Sequence, residues 1–196
     1  MPGTKRQEQK KQTRSRILEA AIEQFAKQGL TTTSTVAIAE AAHVAHGTVF
    51  AHFSTQEELL SAAIEEFGKR INQRLHELAG AGGGVREVLA AHLKGLTEHE
   101  AFYTRMITEA RLLPEEARNT LIMIQSTASF HLSEAVEKEI TAGSIQPLPV
   151  HLVFNGWVGL VHYYLANSDL FAPGGSVLER YGHELLQYYM TLIKAR

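Results

Sequence analysis

Residues 34–53, STVAIAEAAHVAHGTVFAHF, limit the folds open to this chain more than any other stretch. Ser34 suits the N-cap of a short helix predicted over 36–42, because its hydroxyl can accept an orphan backbone N–H of the first turn. Ile38 gives that helix an apolar anchor, and Ala39, Ala41 and Ala42 are small enough to let neighbouring helices come close. The turn His43-Val44-Ala45 carries a single apolar plug, Val44, expected to be buried. A second short helix follows over 46–52 and ends on Phe53. Two short helices joined around one apolar plug form a helix-turn-helix, which can present its second helix to a DNA major groove.

The charge pattern suits such an end. Residues 1–53 hold seven Lys and Arg against four Glu, a net of +3, while the rest carries −5, leaving the chain at −2. A basic head on an acidic body fits a protein that touches a polyanion at one end. Yet no Lys or Arg lies between Lys27 and Lys69, an interval that holds the whole motif. Phosphate contacts supply most non-specific affinity, so the charge must come from elsewhere. One source is a basic N-terminal arm with Lys5, Arg6, Lys10, Lys11, Arg14 and Arg16. The other is histidine, which a nearby phosphate pushes toward its charged form. His43 reads as a turn or solvent residue, and His46 and His52 as DNA contacts.

A length of 196 residues leaves room for this module, taken as 1–55, and a second domain over 56–196. The chain has no cysteine, so it has neither a disulfide framework nor a thiolate zinc site. The basic N-terminus lacks an apolar core segment and is no secretory signal, so cytoplasmic residence is expected. Ten histidines are spread along the chain without an H-x-x-x-H pair or H-E-x-x-H, and no metal site is expected. G-x-S-x-G, Walker A and dinucleotide fingerprints are absent. Neither an enzyme nor a cofactor is therefore expected.

Apolar spacing predicts an all-α chain of about nine helices. The first, over 13–28, buries Ile17, Leu18, Ala21, Ile22 and Phe25 and stops at Gly29. A helix of about 24 residues opens on a capping box at Thr55 and Glu58 and carries Leu60, Ile64, Phe67, Ile71, Leu75 and Leu78. The run Gly80-Ala81-Gly82-Gly83-Gly84 breaks it and reads as a linker rather than a phosphate cradle. Later helices are expected over 85–96, to the end before Pro114, over 114–142, after Pro149, and over 177–194. The eighth, VHLVFNGWVGLVHYYLA, is apolar almost all round but too short and too polar to span a membrane. Such a helix is expected to be buried on every face.

The motif residues also carry a family resemblance. Ile38-Ala39, Ala42, Val44, Gly47, Thr48, His52, Phe53 and Glu57-Glu58-Leu59 fall in register with I-A-x-x-A-G-V-S-K-G-T-[LF]-Y-x-H-F and the following E-E-L of the TetR family of transcriptional repressors. Departures are His43, Ala45 and His46 for the turn's glycine, serine and lysine, Phe50 for the tyrosine, and Gln56 for the lysine before E-E-L. The resemblance implies DNA contact by Arg14, Ser34, Thr35, Ala45, His46, Gly47, Thr48, Phe50 and His52. It implies a homodimer joined through the last two helices, at Gly156, Gly159, Tyr163, Tyr181, Leu185 and Tyr189. It also implies a cavity for a small hydrophobic effector, with His92, Tyr103, His131, Asn155, Trp157 and His162 as wall positions. The expected protein is a repressor of a palindromic operator that the effector releases. The alternatives are a metal-responsive regulator and a non-specific architectural DNA binder, and the latter has no need of a large acidic second domain.

Overall fold

The computed structural model describes residues 5–79 and 82–195. Gly80 and Ala81 of the expected breaker, and the side chain of Leu78, lie outside that description. Among the described residues there are ten α-helices and one short 3-10 turn, and the sole extended pairing is an isolated bridge between Ile145 and Lys194. The helix beyond the expected nine is α9 (Ser168–Phe171), one turn long. Compactness groups the chain as Met1–Phe67 with Ala101–Leu121, and Gly68–Glu100 with Ile122–Arg196.

The first unit is built on α1 (Lys5–Gln28), α2 (Thr35–Ala41), α3 (His46–His52) and the start of α4 (Gln56–Ala79). Helix α1 begins well before the predicted start, so the basic segment from Lys5 is helical rather than a loose arm. Its lysines, arginines and glutamines are good helix formers, and no Gly or Pro interrupts them. Ile17, Leu18, Ala21, Ile22 and Phe25 fill the core, and the helix stops at Gly29, whose φ of +101° disfavours any side chain. The carboxylate of Glu109 then accepts the N–H groups of Leu30 (2.9 Å) and Thr31 (3.4 Å). Helix α6 (Glu100–Thr108) brings Phe102 and Tyr103 against Phe67, Tyr103 stacking at 5.6 Å between ring centres. At the start of α4, Thr55 Oγ1 accepts the N–H of Glu58, while the Glu58 carboxylate accepts that of Ser54.

The second unit holds the rest of α4, α5 (Val85–Thr97), most of α7 (Glu115–Thr141), α8 (Val150–Ala166), α9 and α10 (Val177–Ile193). Gly68 is required there, since a Cβ would fall 2.5 Å from Ile124. Two helix starts are capped by carboxylates from distant helices. Glu139 accepts the N–H of Val85 at 2.7 Å. Glu100 accepts those of Val177 (2.7 Å) and Leu178 (3.0 Å) and the Ser176 hydroxyl. Negative charge at a helix N-terminus is favourable because it meets unpaired N–H groups and the positive end of the dipole.

Helix α8 corrects one expectation. It buries Val153, Phe154, Trp157, Val161 and Leu165 but leaves Leu152, Asn155, Gly156, Gly159 and Tyr163 exposed. Its apolar residues cover the whole circumference, while the neighbours within one chain cover only one side.

Candidate functional site

The helix-turn-helix lies where the sequence puts it. Ser34 caps α2 by accepting the N–H of Ala37 at 3.2 Å. The backbone of His43 takes φ +53°, a conformation that glycine adopts freely and that histidine tolerates better than most residues. This is the turn position where the resembled pattern has glycine. Val44 is half-buried rather than fully buried. Within α3 only Val49 is buried, anchoring the helix while the rest of its surface stays open.

That open surface has an internal order. His46 Nε2 lies 2.9 Å from Thr35 Oγ1, tying the start of α3 to the start of α2. The His46 ring meets Phe50 edge-on at 5.0 Å, and Phe50 is 43% exposed. Ala45 and Gly47 are exposed, Thr35, Thr48 and His52 are half-buried, and a Cβ on Gly47 would meet nothing within 4 Å. A flat, unobstructed backbone can come close to a ligand surface.

The missing cations arrive from α1. The guanidinium of Arg14 sits 4.8 Å above the ring of Phe53, the residue that ends α3. His52 Nδ1 is buried with no hydrogen-bond partner among the described residues. Burial, and then the charges of Lys10 and Arg14, hold the His52 imidazole below its ordinary pKa. Lys10, expected with Arg14 among the arm cations that supply phosphate charge, lies four residues before it on the same helix face. That shared face follows from the longer α1, since the helix predicted over 13–28 leaves Lys10 outside it.

The expected effector residues do not form one group. His92 and Trp157 are buried together, the indole Nε1–H donating to His92 Nδ1 at 3.2 Å. That bond places the imidazole proton on Nε2. Burial, reinforced by His162, pushes His92 down to about 4, and burial pushes His162 down to about 4 as well. Tyr103 is spent on Phe67 in the first unit, and His131 and Asn155 are exposed rather than buried. Helices α7 and α8 are one-sided, so a polar residue on either has an outer face to occupy.

The expected interface residues divide in the same way. Gly156, Gly159 and Tyr163 are exposed, Tyr181 is half-buried, and Leu185 and Tyr189 are buried inside the subunit. The Tyr189 hydroxyl donates to the Val153 carbonyl, its ring packs 5.3 Å from Trp157, and burial raises its pKa to about 12. These two residues serve the core, and the large apolar side chains that α10 exposes are Tyr188 and Leu192.

Residues 17–68 match the family model described as bacterial regulatory proteins, tetR family. The chain is 40% identical over 65 residues to the HTH-type transcriptional repressor Rv3405c of Mycobacterium tuberculosis, a match covering 33% of this chain. It spans only about a third (35%) of that relative's length. A TetR-family regulator from Rhodococcus has the same fold over 93% of this chain and 98% of its own, with a TM-score of 0.78 at 21% identity. So does FadR from Bacillus subtilis, solved in complex with stearoyl-CoA, over 91% and 98%, with a TM-score of 0.73 at 21% identity. Residues 17–68 are thus similar in sequence to the TetR family, and the chain as a whole has the fold of the solved TetR-family regulators.

Proposed function

We propose that this chain is a DNA-binding transcriptional regulator, most simply a homodimeric repressor that holds a palindromic operator and is released by a small hydrophobic effector. The observation that carries the reading is the meeting of α1 and α3: Lys10 and Arg14 beside His52, and Arg14 over Phe53. This gives a cationless recognition helix a neighbouring source of phosphate contacts. A single helix-turn-helix reads only one half-site, and a two-fold dimer would read two. The exposed side of α8, with Leu152, Gly156, Gly159 and Tyr163, lies on the same unit as the exposed Tyr188 and Leu192 of α10. Large exposed apolar side chains of this kind mark an interaction face.

The stearoyl-CoA bound by FadR supports a hydrophobic effector class, and His92 and Trp157 are the wall candidates that lie together in this chain. Helix α4 contributes residues to both compact units, so it is the element through which effector binding would reach the DNA-binding residues. An effector that prefers one dimer geometry lowers operator affinity by its differential affinity for the two states. Action in the cytoplasm follows from this role, and among the described residues no helix is long and apolar enough to cross a membrane.

Competition gel shift tests the reading. A regulator prefers a palindrome near its own gene over bulk DNA by about three orders of magnitude or more. An architectural binder shows equal competition by bulk DNA, and a metal-responsive regulator loses or gains operator on chelation.

A further inference from the structure

The chemistry of the recognition surface is unusual in what it offers. The segment 29–55 contains no Lys, Arg, Asn, Gln or Asp, and its only carboxylate is Glu40, on α2 rather than α3. The next polar reader, Gln56, is committed, donating its amide to the Thr33 carbonyl at 2.9 Å. Guanine is read in the major groove chiefly by Arg or Lys, and adenine by Asn or Gln, through paired hydrogen bonds. None of those side chains is available on α2 or α3. What the surface offers instead is apolar: Phe50 and Val36 are 43% and 48% exposed, and Ala45 and Ala51 are exposed as well.

One base feature in the major groove is apolar, the C5-methyl group of thymine. Resting on the reading of this chain as an operator-binding protein, we infer that its half-site is recognised mainly through thymine methyl groups, with Phe50 as the principal contact. His46 braces the contact. It holds Thr35 on one side and the edge of the Phe50 ring on the other, which limits the rotamers open to Phe50. Bare Gly47 removes the obstacle that a side chain on the same turn would present. Hydroxyls at Ser34, Thr35 and Thr48 and the α1 cations are left for phosphate and register. They position the helix and carry little sequence information.

The test begins with the full chain and a pool of random-sequence duplex DNA. Enrichment is expected to yield a palindrome with A·T pairs at the central positions of each half-site. The selected duplex is then made with deoxyuridine in place of thymidine, either in the half-sites only or in the flanks only. Removing a methyl group from a buried contact weakens binding about fourfold. Half-site substitution should therefore weaken the two-fold complex by roughly fifteenfold, one methyl lost per half-site, and flank substitution should leave it unchanged. In Phe50→Ala the thymidine and deoxyuridine duplexes should bind equally. A selected palindrome that binds equally well with deoxyuridine overturns the methyl inference and leaves the regulator reading intact. So does a half-site without A·T pairs, or a Phe50→Ala variant that keeps the full discrimination. Failure to enrich any sequence overturns both.

Discussion

The two compact units carry their chemistry differently, one on its surface and the other in its interior. In the first, the groups of interest face outward: Phe50, Val36, Ala45 and Gly47 are exposed, with Arg14 laid over Phe53 at the rim. In the second they face inward: Trp157 is 1% exposed, His92 is 7% exposed, and Tyr189 is buried against Trp157. DNA is a large, uniform partner, so a surface that reads it must be open and its residues spaced to fit a groove. A small apolar effector needs the reverse, a shielded and mostly apolar site with few polar groups. The second unit has a further outward feature that the first lacks, the uncovered side of α8.

The largest expected effect tests that uncovered side. Gly159 has open space around it within the chain, so Gly159→Arg should leave the subunit fold alone and place bulk and charge in the proposed dimer face. Sedimentation should show monomers with helical circular dichroism retained, and operator affinity falling to the non-specific level, about 10³-fold or more. A dimeric variant with normal DNA binding would remove α8 from the interface.

The inward chemistry predicts acid sensitivity of the second unit. His92 and His162 are depressed from 6.5 to about 4, so the folded state resists protonation that the unfolded chain accepts. Their contribution is complete above about pH 6.5 and is lost as pH falls toward 4. For the fully buried His92 alone the loss between pH 7 and 5 comes to about 2 kcal/mol. Thermal unfolding across that range should show it, and His92→Gln should flatten the profile. An unchanged slope in that variant would mean that His92 is not the group that titrates.

These two sides were unequally legible in the sequence. The helix-turn-helix is local: its caps, turn and anchor lie within twenty residues, and α3 runs over the predicted span. The glycine-rich break, the prolines and the apolar stripes likewise mark most helix ends. The inward contacts are not local. His92 and Trp157 are 65 positions apart, and whether Tyr189 faces the core or the solvent depends on how α10 is rotated about its axis. An apolar stripe of Leu178, Tyr181, Leu185, Tyr188 or Tyr189, and Leu192 does not settle that rotation. The carboxylate caps from Glu100 and Glu139 were equally invisible, because each acts across more than fifty residues. Glu100→Ala removes the acceptor for two N–H groups and a hydroxyl, and should destabilise the second unit by about 1.5 kcal/mol in denaturant melts. A loss under 0.3 kcal/mol would show that water replaces this cap at no cost.

The smallest effect probes how the outward face acquires charge. Each phosphate contact adds roughly one unit to the salt dependence of binding. Deleting residues 1–11 removes Lys5, Arg6, Lys10 and Lys11 and should weaken binding and flatten the salt slope by up to about four units per subunit. The histidine share is separable by pH. In the free chain His52 is held below its ordinary pKa by burial and by Lys10 and Arg14. Phosphate at this face would offset those two cations, so His52 would take up a proton on binding. Uptake on binding makes affinity rise as pH falls, and the rise is limited to tenfold per pH unit for each histidine. Between pH 8 and 6, operator affinity should increase several-fold, and His46→Ala with His52→Ala should abolish the increase while leaving the arm's salt slope in place. A double variant with the same pH dependence as the wild type would leave the α1 cations as the sole source of charge on this face.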